Sequence, residues 1–134
     1  MDTGKSALGG IDGNIAAAIG YPIGIIAIIC LIIEKENRFV KFHALQSILL
    51  HVAAIVLMIA FWIISAVVIV GGVAASAATN SGALGGLASM LIGLVWLVFV
   101  VIYLLALILS AVKAYQGSMF KLPIIGNMAE KWIK

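Results

Sequence analysis

The chain has 134 residues, of which 65% are hydrophobic and only 10% are charged, with a formal net charge of +3. A soluble domain carries about 25% charged residues, whereas residues 42–112 contain no Asp, Glu, Lys or Arg. This composition excludes a soluble globular protein and argues against nucleic acid as a partner, because no basic stripe with interleaved aromatic residues is present. The sequence predicts an all-α integral membrane protein in contact with the lipid bilayer.

The predicted elements begin with a polar, glycine-rich stretch at 1–14, interpreted as a flexible leader before a single helical domain at 15–134. About 20 apolar residues, rising 1.5 Å each, cross a hydrocarbon core of about 30 Å. Three apolar runs therefore predict three transmembrane helices, at about 15–33, 42–73 and 87–112.

The two prolines of the chain modify these elements. Pro22 lacks a backbone donor and is expected to bend the first helix. After Pro123, apolar residues recur at helical spacing, which predicts a short amphipathic helix at about 124–133. This helix is expected to lie on the membrane surface with Trp132 as its interfacial anchor. Its predicted apolar face consists of Ile125, Met128, Ala129, Trp132 and Ile133.

The orientation is predicted from the basic residues, which favour the cytoplasmic side. The segment 34–41 and the C-terminal tail together contain seven Lys and Arg residues, whereas the predicted opposite side has only Lys5. The seven are Lys35, Arg38, Lys41, Lys113, Lys121, Lys131 and Lys134. With three spans in the cell membrane, this pattern predicts an external N-terminus, a cytoplasmic 34–41 connector and a cytoplasmic C-terminus.

A stripe of polar and aromatic residues enters the second span at helical spacing. Asn37 is suited to cap a helix that begins near Arg38. The stripe is interpreted either as inter-helix hydrogen bonding, or as a polar path or partner site. The stripe consists of His43, Gln46, Ser47 and His51, and the preceding Arg38, Phe39 and Phe42 are further candidate partner or polar-path residues. His43 and His51 lie about 12 Å apart along a helix, too far to share one ion, so no metal or cofactor site is predicted.

Small residues on two spans predict close helix packing, because they let backbones approach in lipid. The first span carries Gly20 and Gly24, and the third carries Gly85, Ser89 and Gly93. These two faces are expected to pair, within one bundle or between copies.

Two stretches resemble a known family. They are "LIIEKENRFVKFHALQSILL" at 31–50 and "YQGSMFKLPIIGNMAEKW" at 115–132. Both are similar to small prokaryotic membrane proteins related to the Tic-twenty component of the chloroplast protein-import machinery. The resemblance implies a Tic-twenty-like membrane protein, mostly of unknown function, whose chloroplast relative is linked to protein translocation. The matching motif positions are Arg38, Phe39, Phe42, His43, Gln46 and Ser47.

These features favour a non-catalytic membrane scaffold or accessory subunit that binds other membrane proteins or copies of itself. The alternative is a component of an oligomeric channel or translocation pore, since three helices of one chain can hardly enclose a pore. An enzyme is not predicted, because the spans hold no carboxylate and no nucleophile has an acid–base partner at useful spacing.

Overall fold

The computed structural model describes residues 3–133, and within that range the fold is all-α, as predicted. The helices are α1 (Gly13–Ile19), α2 (Gly24–Ile33), α3 (Arg38–Ala78), α4 (Ala83–Tyr115) and α5 (Ile125–Trp132). Residues 1 and 2 of the predicted leader and Lys134 of the predicted tail lie outside the described residues.

The chain divides into two compact units. The terminal unit comprises the residues up to Ala53 and those from Leu104 onward, and the hairpin unit comprises 54–103. By sequence position, all eight Lys and Arg and all five Asp and Glu residues belong to the terminal unit. The two units therefore differ fundamentally in chemistry, because the hairpin unit is built from uncharged residues alone.

The long helices α3 and α4 contain the predicted spans at 42–73 and 87–112. Both are long and apolar enough to cross a membrane. At 41 and 33 residues they extend beyond the predicted ends, to about 60 and 50 Å in length. Only 6% of the most apolar stretch of α3 is buried within the protein. The most apolar stretch of α4 is not buried at all. Surfaces this apolar and this exposed require lipid or protein around them.

The predicted span at 15–33 does not form one continuous helix. The segment forms two short helices, α1 of 7 residues and α2 of 10 residues, separated by Gly20–Ile23. Pro22 has no N–H to donate and its ring excludes the preceding turn of a continuous helix, while the Tyr21 side chain is fully buried at the break. At about 15 Å, α2 is too short to cross a bilayer alone. A third complete crossing is thus not confirmed.

The segment predicted as a leader makes defined contacts with the 34–41 connector. The Asn37 side-chain amide donates to the carbonyls of Thr3, at 2.7 Å, and Lys5, at 3.2 Å. The Ser6 hydroxyl donates to the buried carboxylate of Glu34 at 2.9 Å. These contacts hold the N-terminal segment beside the connector, whereas the predicted topology separates the two by a span. The orientation of the chain in the membrane stays a prediction.

The start of α3 follows the prediction. The Val40 N–H donates to the Asn37 side-chain oxygen at 3.1 Å, and the helix begins at Arg38. Asn37 therefore caps α3 and, through its amide nitrogen, holds the N-terminal segment in place.

The short C-terminal helix is confirmed as α5, but its apolar residues do not form one lipid-facing side. Ala129 is fully buried and packs in one cluster with Phe42 and Leu45 of α3. Trp132 is 62% exposed and Met128 is also exposed. The helix is thus docked on α3 by one part of its apolar surface and presents the rest outward.

Candidate functional site

The centre of the terminal unit is a polar network around His43 of α3. The His43 side chain is fully buried. Aromatic rings meet it edge-on, with centroid distances of 4.6 Å to Phe39, 5.1 Å to Phe42 and 5.9 Å to Tyr21. The imidazole is thus enclosed by the protein itself, and only its two nitrogens are left to form polar contacts.

The partners of these two nitrogens define the hydrogen positions in the network. The Nε2 atom lies 3.1 Å from the Ser118 carbonyl, which can only accept, so Nε2 carries the proton and donates. In the neutral ring, Nδ1 is then an acceptor. The Tyr21 hydroxyl, 3.0 Å away, donates to it. His43 therefore joins the break between α1 and α2 to the segment that follows α4.

Gln46, one turn after His43, completes the network. Its amide nitrogen donates to the Tyr21 hydroxyl at 2.7 Å and to the Phe120 carbonyl at 3.1 Å. Its amide oxygen accepts from the Leu122 N–H at 3.1 Å. All the hydrogen-bonding groups of this fully buried side chain are in use.

Ser47 and His51 continue the stripe along α3. The buried Ser47 hydroxyl donates to the Gly20 carbonyl at 2.8 Å, which satisfies an acceptor at the end of α1. His51 is half-buried, and its Nδ1 donates to the Ser47 carbonyl at 2.8 Å. Its ring lies 3.8 Å from the place where a Cβ at Gly24 would be. The stripe thus packs α3 against the α1–α2 segment.

A cavity of about 840 Å³ lies beside the start of α3 in the terminal unit. Arg38 is exposed there and Phe39 is half-buried. The buried Glu34 carboxylate also lines it and accepts from the Ala7 N–H at 2.8 Å. Positive and negative side chains both face this cavity, since Lys35 and Glu36 line it as well.

The structure brings most of the predicted polar-stripe residues together. Phe42, His43, Gln46 and Ser47 are buried and contact the chain's own backbone and rings, whereas Arg38 is exposed. A direct role of these residues in partner binding or in a polar path stays a prediction. Sequence reasoning missed Tyr21, which bridges His43 and Gln46. The only feature of the sequence that pointed to Tyr21 was its hydroxyl group within an otherwise apolar run.

The predicted small-residue faces each have a neighbour inside their own unit. A Cβ at Gly20 would lie 3.4 Å from Ala27 of α2. In the hairpin unit, Gly85 packs on α3, where a Cβ would lie 3.0 Å from the Ser76 hydroxyl. By contrast, a Cβ at Gly93 would meet nothing within 4 Å. Pairing of the two faces, within one bundle or between copies, stays a prediction.

The hairpin unit contains a second candidate site, a groove of about 470 Å³ between α3 and α4. It is lined almost entirely by apolar and small residues, and the two tryptophans of this unit stand at its walls. The lining residues are Phe61, Trp62, Ser65, Ala66, Ile69, Ser89, Ile92, Gly93 and Trp96. Phe61 and Trp96 stack with their centroids 5.5 Å apart, which fixes one wall of the groove.

Within residues 3–133, no group of three His, Cys, Asp or Glu side chains is arranged to hold a metal ion. The two sites thus consist of a closed hydrogen-bonding network in the terminal unit and an open apolar groove in the hairpin unit.

Two long, exposed apolar helices and a charged terminal unit define a helical membrane protein. The chain belongs to the MamF/MmsF family, described as a magnetosome magnetite crystal formation protein family, which it matches over residues 8–129.

The relatives of this chain are named as membrane proteins. A UPF0132 membrane protein of Methanocaldococcus jannaschii is 36% identical over 130 residues, which are 96% of this chain and 94% of the relative. One from Archaeoglobus fulgidus is 35% identical over 121 residues, which are 90% and 94%. A second Methanocaldococcus jannaschii protein is 29% identical over 126 residues, 93% of this chain and 73% of the relative. No solved structure matches the chain significantly.

These matches correct the resemblance drawn from the sequence. The expectation of a small prokaryotic membrane protein family of unknown function is supported by the UPF0132 names. The relation to the Tic-twenty import component has no support among the matches.

Proposed function

We propose that this protein is a non-catalytic membrane scaffold or accessory subunit that binds other membrane proteins. In this proposal the terminal unit anchors and orients the chain, and the hairpin unit provides the binding surface. A family described by magnetite crystal formation is compatible with this role, because a scaffold can organise a membrane without metal ligands of its own.

The observation that carries the proposal is the groove of the hairpin unit. Apolar surface exposed to lipid needs no partner, but a groove lined by small residues and two tryptophans supports contact with another helix, because small residues allow close backbone approach. Trp62 is 68% exposed and stands beside this groove. Aromatic residues in such positions dominate the energetics of protein contacts.

We further propose that both ends of the chain lie in the cytoplasm and that the turn between α3 and α4 lies outside. The N-terminal segment, the connector and the tail all belong to the terminal unit, so its eight Lys and Arg residues share one unit, and the turn at 79–82 has none. An asymmetry of eight to zero strongly favours a cytoplasmic terminal unit.

Purification in mild detergent, followed by identification and quantification of bound proteins, tests the scaffold role. We expect at least one membrane protein to co-purify in a fixed ratio, and we expect its recovery to fall when Trp62→Ala or Trp96→Ala removes a wall of the groove. Ile63→Ala, which alters an equally exposed neighbour outside the groove lining, is the matched control.

The channel alternative makes a different prediction in planar bilayers. The purified chain would conduct, and the conductance would depend on the polar stripe of α3. Reproducible conductance without a stoichiometric partner would overturn the scaffold proposal in favour of a pore component.

A further inference from the structure

We infer that the α1–α2 segment is a re-entrant membrane segment. It enters the lipid from the side of the 34–41 connector, turns at Gly20–Ile23 and returns to the same side, so that the isoleucines of α2 lie against lipid acyl chains. This inference rests on the proposed anchoring role of the terminal unit and names the surface that does the anchoring.

Both ends of the segment meet at the charged end of the terminal unit. Before α1, the Ser6 hydroxyl and the Ala7 N–H donate to the carboxylate of Glu34, which directly follows α2, at 2.9 and 2.8 Å. Beside these bonds, Lys35 and Glu36 are exposed, as charged side chains in contact with water are. An entry and an exit joined by hydrogen bonds share one membrane surface, so the segment between them goes in and comes back.

The turn of the segment lies far along α3 from this charged end. The Gly20 carbonyl accepts from the Ser47 hydroxyl at 2.8 Å, and the His51 ring lies 3.8 Å from the place where a Cβ at Gly24 would be. Since α3 begins at Arg38, these contacts place the turn about 14 to 20 Å along the helix. That distance is about half the thickness of a hydrocarbon core of about 30 Å.

The backbone donors of the turn have partners inside the protein, as irregular backbone at membrane depth requires. Gly20, Tyr21 and Ile23 donate their N–H groups to carbonyls of α1, at 3.3, 3.3 and 3.2 Å, and Pro22 has no N–H. The Tyr21 side chain is fully buried. The side chains that the turn exposes, those of Pro22 and Ile23, are therefore both apolar.

The side chains of α2 are sorted as in a helix that faces lipid. The small residues Ala27 and Cys30 are buried within the protein. The opposite face is formed by isoleucines at spacings of three and four residues, which are 40–71% exposed. They are Ile25, Ile28, Ile29 and Ile32. Contacts between helices in membranes favour small residues, and this face has neither a small nor a polar one. It therefore suits acyl chains better than a second helix.

Fluorescent labels on single cysteines test the depth of α2. In a Cys30→Ala background in phosphatidylcholine–phosphatidylglycerol vesicles, an environment-sensitive label at Ile25→Cys should show blue-shifted emission and be quenched most by a nitroxide deep in the acyl chains. At Ile32→Cys, about 10 Å further along α2, a nitroxide near the headgroups should quench most. Glu36→Cys, exposed in the connector, is the matched water control.

Two outcomes at Ile25→Cys would overturn lipid as the occupant of this face. Water-like emission would place α2 outside the membrane, and resistance to lipid-borne and water-borne quenchers alike would show that protein covers it. Circular dichroism shows whether each variant retains its helices. A lipid with a photoactivatable group at the end of its acyl chain repeats the test on the unmodified protein. It should attach to the peptide that contains Ile23 and Ile25, and absence of that product would also overturn the inference.

An impermeant thiol reagent applied to intact cells tests the return of the chain. Ala7→Cys and Glu36→Cys, both at exposed positions, should react from the same side of the membrane. Reaction from opposite sides would show a complete crossing and overturn the re-entrant segment. If both react from outside, the re-entrant segment stands and the proposed cytoplasmic orientation fails. The co-purification test of the scaffold role is independent of either result.

Discussion

Gln46 is the residue on which the polar contacts of the terminal unit converge. It binds Tyr21 from the α1–α2 break and the backbone of Phe120 and Leu122 from the C-terminal segment. Gln46, Tyr21 and Leu122 are buried, so their hydrogen bonds are needed to offset desolvation. A single amide thereby joins three parts of the chain that are distant in sequence.

Replacement of Gln46 by leucine should destabilise the protein by about 2 kcal/mol, because it leaves the buried Leu122 N–H without its acceptor and the Phe120 carbonyl without a donor. Denaturant unfolding in detergent, monitored by circular dichroism, measures this change. Gln116→Leu, at an exposed glutamine, is the matched control and should change stability by less than about 0.5 kcal/mol. Equal stability of the two variants would show that the network contributes nothing to folding.

At the scale of elements, the docking of α5 depends on close approach at its first turn. Gly126 is buried, and a Cβ there would lie 2.7 Å from the Gln46 side-chain oxygen and 2.7 Å from the Lys121 Cα. The turn before it is tight, since Ile124 has a φ of +66° and the Ile125 N–H donates to the Pro123 carbonyl at 2.7 Å. Lys121, before the helix, and Glu130, within it, form an ion pair at 2.8 Å that links the preceding segment to α5.

Gly126→Ala should therefore release α5 from α3, because neither the Lys121 backbone nor the enclosed Gln46 can move away cheaply. Limited proteolysis should cut the C-terminal segment at least tenfold faster, as expected for the loss of about 1.4 kcal/mol of docking free energy. Asn127→Ala, at the exposed neighbour in the same helix, should keep the wild-type rate. Equal cleavage of both variants would contradict the docked arrangement.

Trp132 of α5 reports where the exposed side of this helix lies. In a variant with Trp62 and Trp96 replaced by phenylalanine, we expect Trp132 emission to be blue-shifted in bilayers, since its ring is exposed on the protein and suited to the headgroup layer. A spectrum like that of tryptophan in water would place this surface of α5 away from the membrane.

The packing of Gly20 and Gly24 in the α1–α2 segment can be tested by substitution. Gly20→Leu should destabilise the protein by about 2 kcal/mol, because the added side chain meets Ala27, and Gly24→Leu should act similarly against the His51 ring. The conservative control Ile23→Leu, at an exposed position, should have little effect. The midpoint of thermal unfolding in detergent separates these outcomes, and identical midpoints would show that neither glycine faces a packed neighbour.

At the scale of the whole molecule, the N-terminal segment and the tail are expected on the same side of the membrane. In a Cys30→Ala background, an impermeant thiol reagent added to intact cells should label Ser81→Cys in the α3–α4 turn. Thr3→Cys and Ser118→Cys should react only after permeabilisation, because all eight basic residues lie in the unit that contains both positions.

Each labelling pattern has a distinct meaning. External labelling at position 3 but not at 118 would restore an odd number of crossings and contradict the contact between Asn37 and the Thr3 carbonyl. External labelling at both positions, with Ser81→Cys protected, would invert the proposed orientation.

The sequence by itself determined the class of this protein and its long helices. A charge-free run from 42 to 112 can be stable only in lipid, and the backbone there must satisfy its own hydrogen bonds. The helix start at Arg38 was also predictable, because the Asn37 cap acts on a backbone donor three residues away. Such features depend on composition and on local chemistry, and both are visible in the order of residues.

Only the tertiary structure decided what the first apolar run and the polar stripe do. The run at 15–33 has the composition of a span, but Pro22 breaks it, and Tyr21 turns inward to meet His43 and Gln46. The sequence left open whether the stripe bonds within the chain, and in the structure His43 meets the Ser118 carbonyl, 75 residues away. A role of the stripe in a partner site or a polar path stays a prediction. Hydrogen bonds between segments so far apart depend on how the chain folds back on itself, and spacing along one helix carries no information about that.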